Sequence, residues 1–373
     1  MLKDYRYVGF NIFEVGELKT NLTSLGVKEY IEYNLLEKGL GLKLYEIGTS
    51  ANKFGKGITT SYDIYIYEDE NDVVRYVDPL GQMYELNKES ENIYNNKKLS
   101  CKFYKKEESY EVRKGTSTLI FNKEGEKYKL RKITSEGQKD IIVTEKETSL
   151  LVLQGDDIKK GDYVEVQYLC DINDGNKEKV FITFSYGKGK GGSIHLEHDN
   201  QENKEVKRIY AYLGGRQNNY KYDFTINKEE GKIVFIDNLL GKEKVFNKDS
   251  EGNIVQVVDE YKTTYTLNRS TNKCVIQDTN NNEVEYIYEN GSKLNRVVST
   301  TNNIMMTYLF DDFEKIKAKG ILDLKYIENV GKIKYKNSSR LNGEGYIENV
   351  NVESLFSGSE KEGVFLQVDN EDY

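Results

Sequence analysis

The chain of 373 residues has no tryptophan, one proline, two histidines and three cysteines. Each scarcity removes a class of protein. Cys101, Cys170 and Cys274 are too few and too far apart for a disulfide framework or a zinc site, and each reads as a small half-buried residue. With His195 and His198 the only imidazoles, any Ser-His or Cys-His catalytic pair must use one of them. No stretch approaches 18 uncharged apolar residues, which excludes a membrane-spanning helix. The opening "MLKDYRYVGFNIFEVG" lacks the apolar segment of a secretory leader, so none is expected there. A net charge of −8, with lysines scattered among glutamates, gives no basic groove and no nucleic-acid partner.

What the chain does have is aromatic. Hydrophobic residues make up only 37% and charged residues 31%, yet there are 30 Tyr and 14 Phe. A buried ring removes roughly 150–250 Å² from water, and Tyr, Phe, Val, Ile and Thr all suit a pleated, half-buried surface. With proline nearly absent, turns fall to Asn, Asp and the 31 glycines. Clusters such as "EDEND", "NDGN", "NKDSEGN" and "NRSTNK" lie between alternating apolar residues and read as hairpin turns. The best helical stretch, "NLLEKGLGLKL", is interrupted by Gly39 and Gly41. The expected class is all-β.

A period of 21–22 residues runs through the last third. Phe310 lies 22 residues after Tyr288, Tyr288 lies 21 after Leu267, and Leu267 lies 21 after Phe246. Two positions before these anchors stand Tyr308, Tyr286, Tyr265 and, as the exception, Lys244. Strand side chains alternate between faces, so three of the four units put two apolar groups on one face. A polar turn, a second apolar position (Ile254, Cys274, Leu294, Ile316) and another turn complete each unit. Two strands and two turns fit this length. Such a hairpin is stable only beside its neighbours, which predicts repeated antiparallel hairpins forming one long curved or spiralling sheet. Several stacked sandwich-like sheets are the alternative. Looser echoes occur earlier: "YVDPLGQMYEL" (76–86) and "FIDNLLGKEKVF" (235–246) share an Asp and a following Gly.

These hairpins, with phrases such as "YIYENGSKLNRVVSTTNN" and "YLFDDFEKI", resemble the YD repeats of bacterial RHS proteins. Upstream, "IEYNLLEKGLG", "FGKGITTSYDIYIYEDE" and "YVDPLGQMYELN" resemble the region that precedes such repeats. The likeness covers roughly 27–142 and 231–318. The chain departs from the pattern at Ile58, where an aromatic is usual, and in that Asn290 and Asp312 serve as imperfect YD aspartates. The resemblance implies a β-strip wound into a wall around a toxin domain, and a secreted or cell-surface setting. The family's self-cleaving core is missing, because the only Asp-Pro, Asp78–Pro79, continues as "LGQMYEL". Expected regions are 1–150 (N-terminal RHS-like), 151–230 (irregular hairpins), 231–335 (YD-like repeats) and 336–373 (a tail or further module).

No catalytic constellation stands out, and no cofactor or metal is expected. "YGKGKGGSIHLEHD" (186–199) lacks the Lys and the helix of a phosphate loop and reads as a hairpin. His195 and His198, three apart on a strand, fall on opposite faces. "DINDGNKE" places Gly175 at position five, where a calcium loop needs it at six, and reads as a turn. Two functions follow as expectations. The first is a non-enzymatic structural segment of an RHS-type protein, whose partners are other segments of a larger polypeptide or an enclosed toxin. The second is a surface module that stacks glycans on Tyr265, Tyr286, Tyr288 and Tyr308.

Overall fold

The computed structural model describes residues 6–323 and 364–366, except 26, 37–39, 53–54, 100, 156–160, 173–176, 186–190, 200–204, 214–219, 303 and 311–315. Among the described residues every regular element is a strand and every sheet is antiparallel. A first sheet holds β1 (Tyr7–Ile12), β2 (Gly16–Asn21), β3 (Glu29–Leu36), β4 (Leu42–Asn52) and β5 (Gly55–Thr60), in that order.

The remaining strands belong to one long strip. It begins with β6 (Tyr65–Glu68), β7 (Val74–Val77), β8 (Met83–Glu85), β9 (Asn87–Ser90), β10 (Ile93–Asn96), β11 (Cys101–Lys105), β12 (Ser109–Lys114), β13 (Ser117–Glu124) and β14 (Lys127–Ser135). Its middle is β15 (Ile141–Glu145), β16 (Ser149–Gln154), β17 (Tyr163–Ile172), β18 (Lys177–Ser185), β19 (Gly191–His198), β20 (Val206–Leu213), β21 (Tyr220–Glu229) and β22 (Lys232–Asp237). It ends with β23 (Lys242–Lys248), β24 (Ile254–Val258), β25 (Thr264–Ser270), β26 (Lys273–Asp278), β27 (Glu283–Glu289), β28 (Lys293–Thr301), β29 (Ile304–Phe310), β30 (Ile316–Asp323) and β31 (Val364–Leu366).

From β9 to β31 each strand pairs with the next in sequence. At β14 the edge divides: Lys127–Lys129 pair with β6, while Lys132 and Ile133 pair with β15. The start of the strip is thereby rolled back on itself, although the sheet as a whole does not close into a barrel. The expected boundary at 150/151 falls inside β16 and that at 230/231 inside the β21–β22 turn; the change of sheet lies at 61–64. The region from 336 lies outside the described residues except at β31.

Alternation sets the faces. Leu150, Val166, Ile182, Ile194, Ala211 and Tyr222 lie opposite one another across six successive strands, and all six are buried. A slip of one residue would turn a whole strand's set outward, at about 1.5–3 kcal/mol for each large side chain exposed. Register is therefore well specified. Buried residues of both sheets, from Ile12 to Leu294, belong to one hydrophobic cluster. The strip curves so that its apolar face covers the first sheet.

The periodic anchors stand on alternate strands β23, β25, β27 and β29. Phe246, Leu267 and Tyr288 are buried, and Phe310 packs against the same core. They are staggered rather than level. Phe246 faces Val257 and, through it, Tyr265, two residues short of Leu267. Leu267 faces Ile276 and then Val284, four short of Tyr288. A step along the strand at each hairpin is what a coiled sheet requires.

The "D…G" phrases have a physical basis in the turns. Oδ1 of Asp249 accepts the amides of Glu251 (2.9 Å) and Asn253 (2.8 Å), and Gly252 adopts φ +83°. Asp69, Asp78, Asp259 and Asp278 repeat this geometry, each accepting the amides two and four residues on. In each, the third residue after Asp has positive φ: Asp72, Gly81, Lys262 and Asn281. These are three-residue hairpin loops with a left-handed third position. At Lys262 (φ +66°) a side chain stands where glycine is favoured. Lys262→Gly is expected to raise stability by about 1 kcal/mol, read as a higher urea midpoint.

The same amides, with that of Asn253 foremost, hold the Asp249 carboxyl below the usual carboxylate range. A group whose pKa is lowered by folding stabilises above its unfolded pKa and loses that contribution as pH falls through the folded one. Thermal stability should therefore fall as pH drops below about 4. Asp249→Asn, which cannot titrate, should flatten that fall.

Candidate functional site

The first sheet meets the strip along a seam that joins residues about 180–250 positions apart. Its apolar part is aromatic. Phe10 of β1 packs edge-on against Phe246 of β23 (6.3 Å between ring centroids) and lies 6.0 Å from Tyr265 of β25. Phe13, in the β1–β2 turn, stacks on Phe224 of β21 at 5.4 Å and 15°.

Around this contact the strip sends cations inward. Lys244 Nζ donates to Asn11 O (3.0 Å), lies 5.0 Å over the Phe13 ring and pairs with Glu260 (2.8 Å). Lys244 is thus the exception in the repeat because it docks β1 where its counterparts are tyrosines. Arg269 donates from Nε to Asn21 O and from Nη2 to Thr20 Oγ1, each at 3.1 Å. Lys248 pairs with Glu29, and Lys228 pairs with Glu46.

Glu46 is the most enclosed of these charges, its side chain 4% exposed. Its Oε2 also accepts from the Tyr33 hydroxyl at 2.6 Å. Burial, and then the Glu46 charge, push the Tyr33 phenol well above its ordinary value, so it stays a hydrogen-bond donor. Between the sheets lies a cleft of about 460 Å³ lined by Lys28, Glu29, Tyr30, Glu46, Lys228 and Lys248, among others. Its lysines and glutamates largely satisfy one another, which suits holding two sheets together. Among the described residues no group of three or more His, Cys, Asp or Glu side chains is placed to hold a metal.

Of the residues singled out in the sequence, Phe246 and Tyr265 meet Phe10 at this seam. Tyr288 is 4% exposed and has no face to offer a sugar ring. Tyr265 and Tyr286 are half-buried and pack against the core. Tyr308 lies opposite Val297 under Lys319, whose Nζ is 5.4 Å from its ring centre. The four do not form a solvent-facing row. In the glycine-rich stretch, 186–190 lie outside the described residues, while Gly191 and Gly192 sit within β19. A Cβ at Gly192 would collide with the Tyr212 carbonyl and meet the Phe184 ring, so this glycine serves strand packing. The Gly175 turn lies outside the described residues. His195 and His198 do take opposite faces of β19: His198 is buried among the core strands, and His195 joins a cluster of rings on the other side.

No protein-family model matches the chain, and no curated protein does. Comparison with solved structures gives faint matches to three forms of Hsv2 from Kluyveromyces lactis, each 10% identical and covering 83% of this chain and 94% of the other. They are Hsv2 itself (TM-score 0.12), Hsv2 with complete loop 6CD (0.11), and Hsv2 with that loop replaced by a Gly-Ser linker (0.12). Likeness at this level carries no argument about fold or function.

Proposed function

We propose that the chain is a non-enzymatic structural segment, a β-strip of the RHS/YD-repeat kind that serves as scaffold or wall for a larger polypeptide. The observation that carries this reading is the shared core: the hairpins wrap their apolar face around the first sheet and lock it with charges spaced along the strip. The recurring Asp turns support it too, since one local geometry is reused to extend one sheet. The partner in this reading is another part of the same polypeptide, added edge to edge where the strip ends, because β31 covers only Lys319–Ile321 of β30 and a strand edge invites further pairing. An enclosed toxin domain is the cargo the resemblance points to.

A scaffold is catalytically inert. Assayed against chromogenic glycosides, esters and peptides, the folded chain is expected to match a heat-denatured control. Turnover that tracks the folded fraction would overturn the proposal. In the protein made from its complete reading frame, lysine cross-links should join β29 and β30 to segments outside this chain; cross-links confined to β1–β31 would count against it.

A further inference from the structure

The face of β18–β21 turned away from the core carries a second aromatic assembly, unrelated to the 21-residue period. Phe181, His195 and Tyr210 lie opposite one another across three strands, and Tyr212 and Tyr220 form the adjoining pair. His195 stacks on Tyr210 at 4.7 Å and 9°, with Phe181 edge-on to it at 4.6 Å. Tyr212 and Tyr220 lie 4.8 Å apart, tilted by 32°, with their hydroxyls 3.1 Å apart. Tyr210 is buried beneath its neighbours; His195, Phe181 and Tyr212 are half-buried and Tyr220 is 38% exposed. The accessible rings therefore rest on a fixed ring below them.

Beside this platform is a hydrogen-bonded polar group. Arg208 Nε and Nη2 bond the two oxygens of Asp223 at 2.8 and 2.7 Å, and Asn238 Nδ2 donates to Asp223 Oδ1 at 2.9 Å. The Arg208 guanidinium lies 4.7 Å over the Tyr210 ring, and Glu197 stands 3.9 Å from its Nη1. With one cation against two carboxylates, the patch offers no positive field to a phosphate or a nucleic acid.

We infer that this outer face is a binding site for a neutral oligosaccharide, a role beyond the scaffold reading and independent of it. A pyranose has an apolar C–H face and a rim of hydroxyls. The first matches rings laid across a sheet, and the second matches a guanidinium and an amide anchored on one carboxylate beside them. Four strands at 4.7–4.9 Å spacing give a platform roughly 14 Å across, enough for more than one sugar ring. Tyr212 and Tyr220 stack on the sugar, and Arg208 and Asn238, both fixed by the buried Asp223, position its hydroxyls.

The test is calorimetric titration of the full chain with cellohexaose, chitohexaose and maltohexaose. At least one is expected to bind saturably. Tyr220→Ala and Tyr212→Ala should weaken it by about tenfold or more, with far-UV circular dichroism unchanged. Tyr220→Phe should retain binding, and so should Tyr261→Ala, whose ring is 73% exposed at the distant β24–β25 turn. Three outcomes overturn the inference: no binding of any of the three sugars, equal weakening by Tyr261→Ala, or a dimer in sedimentation that Tyr220→Ala dissolves. The last would make the occupant a second copy of the chain.

Discussion

Phe246→Ala is expected to destabilise the protein by about 3–5 kcal/mol, read as a large fall in the urea midpoint. The ring is fully buried, edge-on to Phe235 at 5.6 Å within the strip and to Phe10 across the seam. Its removal opens a cavity between two sheets whose backbones are fixed by their own ladders, so the hole cannot collapse cheaply. Tyr261→Ala removes an equally large aromatic from the surface and should stay within about 0.5 kcal/mol of the parent. The contrast separates burial from ring size.

Lys228→Met is the second large effect, at about 3–5 kcal/mol. It leaves the Glu46 carboxylate enclosed, with Tyr33 as its remaining hydrogen-bond donor from the first sheet. Desolvation of an unpaired charge is the cost, not loss of the methylenes, which Met largely retains. Glu46→Gln should cost less, because Lys228, at 17% exposure, can extend to water. The double variant Glu46→Gln/Lys228→Met should recover most of the loss, since it removes both charges and keeps an acceptor for Tyr33. A double-mutant cycle by urea unfolding measures that coupling. Simple additivity of the two single losses would show that the pair does not hold the seam.

The all-β class and the hairpin-by-hairpin order were legible because they depend on local chemistry. Alternating apolar residues around Tyr265–Leu267 and Tyr286–Tyr288 define strands, and Asp249, Asp259 and Asp278 define the turns between them. The stagger of the anchors was not legible, since it arises from the bulges and coiling of the assembled sheet. The Asp and Gly of "YVDPLGQMYEL" marked the Asp78 turn, whereas its echo "FIDNLLGKEKVF" builds a different one, in which Asp237 accepts the amides two and three residues on and Gly241 stands fourth. Lys262 and Asp72 occupy the same left-handed position as Gly81 without that signal.

The seam was almost invisible in the sequence. Lys228 and Glu46 are 182 residues apart and each reads alone as solvated surface. Only Lys244, standing where the other repeats have tyrosine, broke the pattern visibly. The outer aromatic face was missed for a related reason. Its rings come from four strands of the irregular middle region, and only the pairing register brings Phe181, His195, Tyr210 and Tyr220 together.

The central claim is that the first sheet and the strip share one core. Native-state hydrogen exchange of the full chain in increasing urea tests it most directly. Amides of β1–β4 and of β20–β25 should converge on a single opening free energy, and Phe246→Ala should lower both together. Opening of β1–β4 at low urea while β20–β25 stay protected would contradict it.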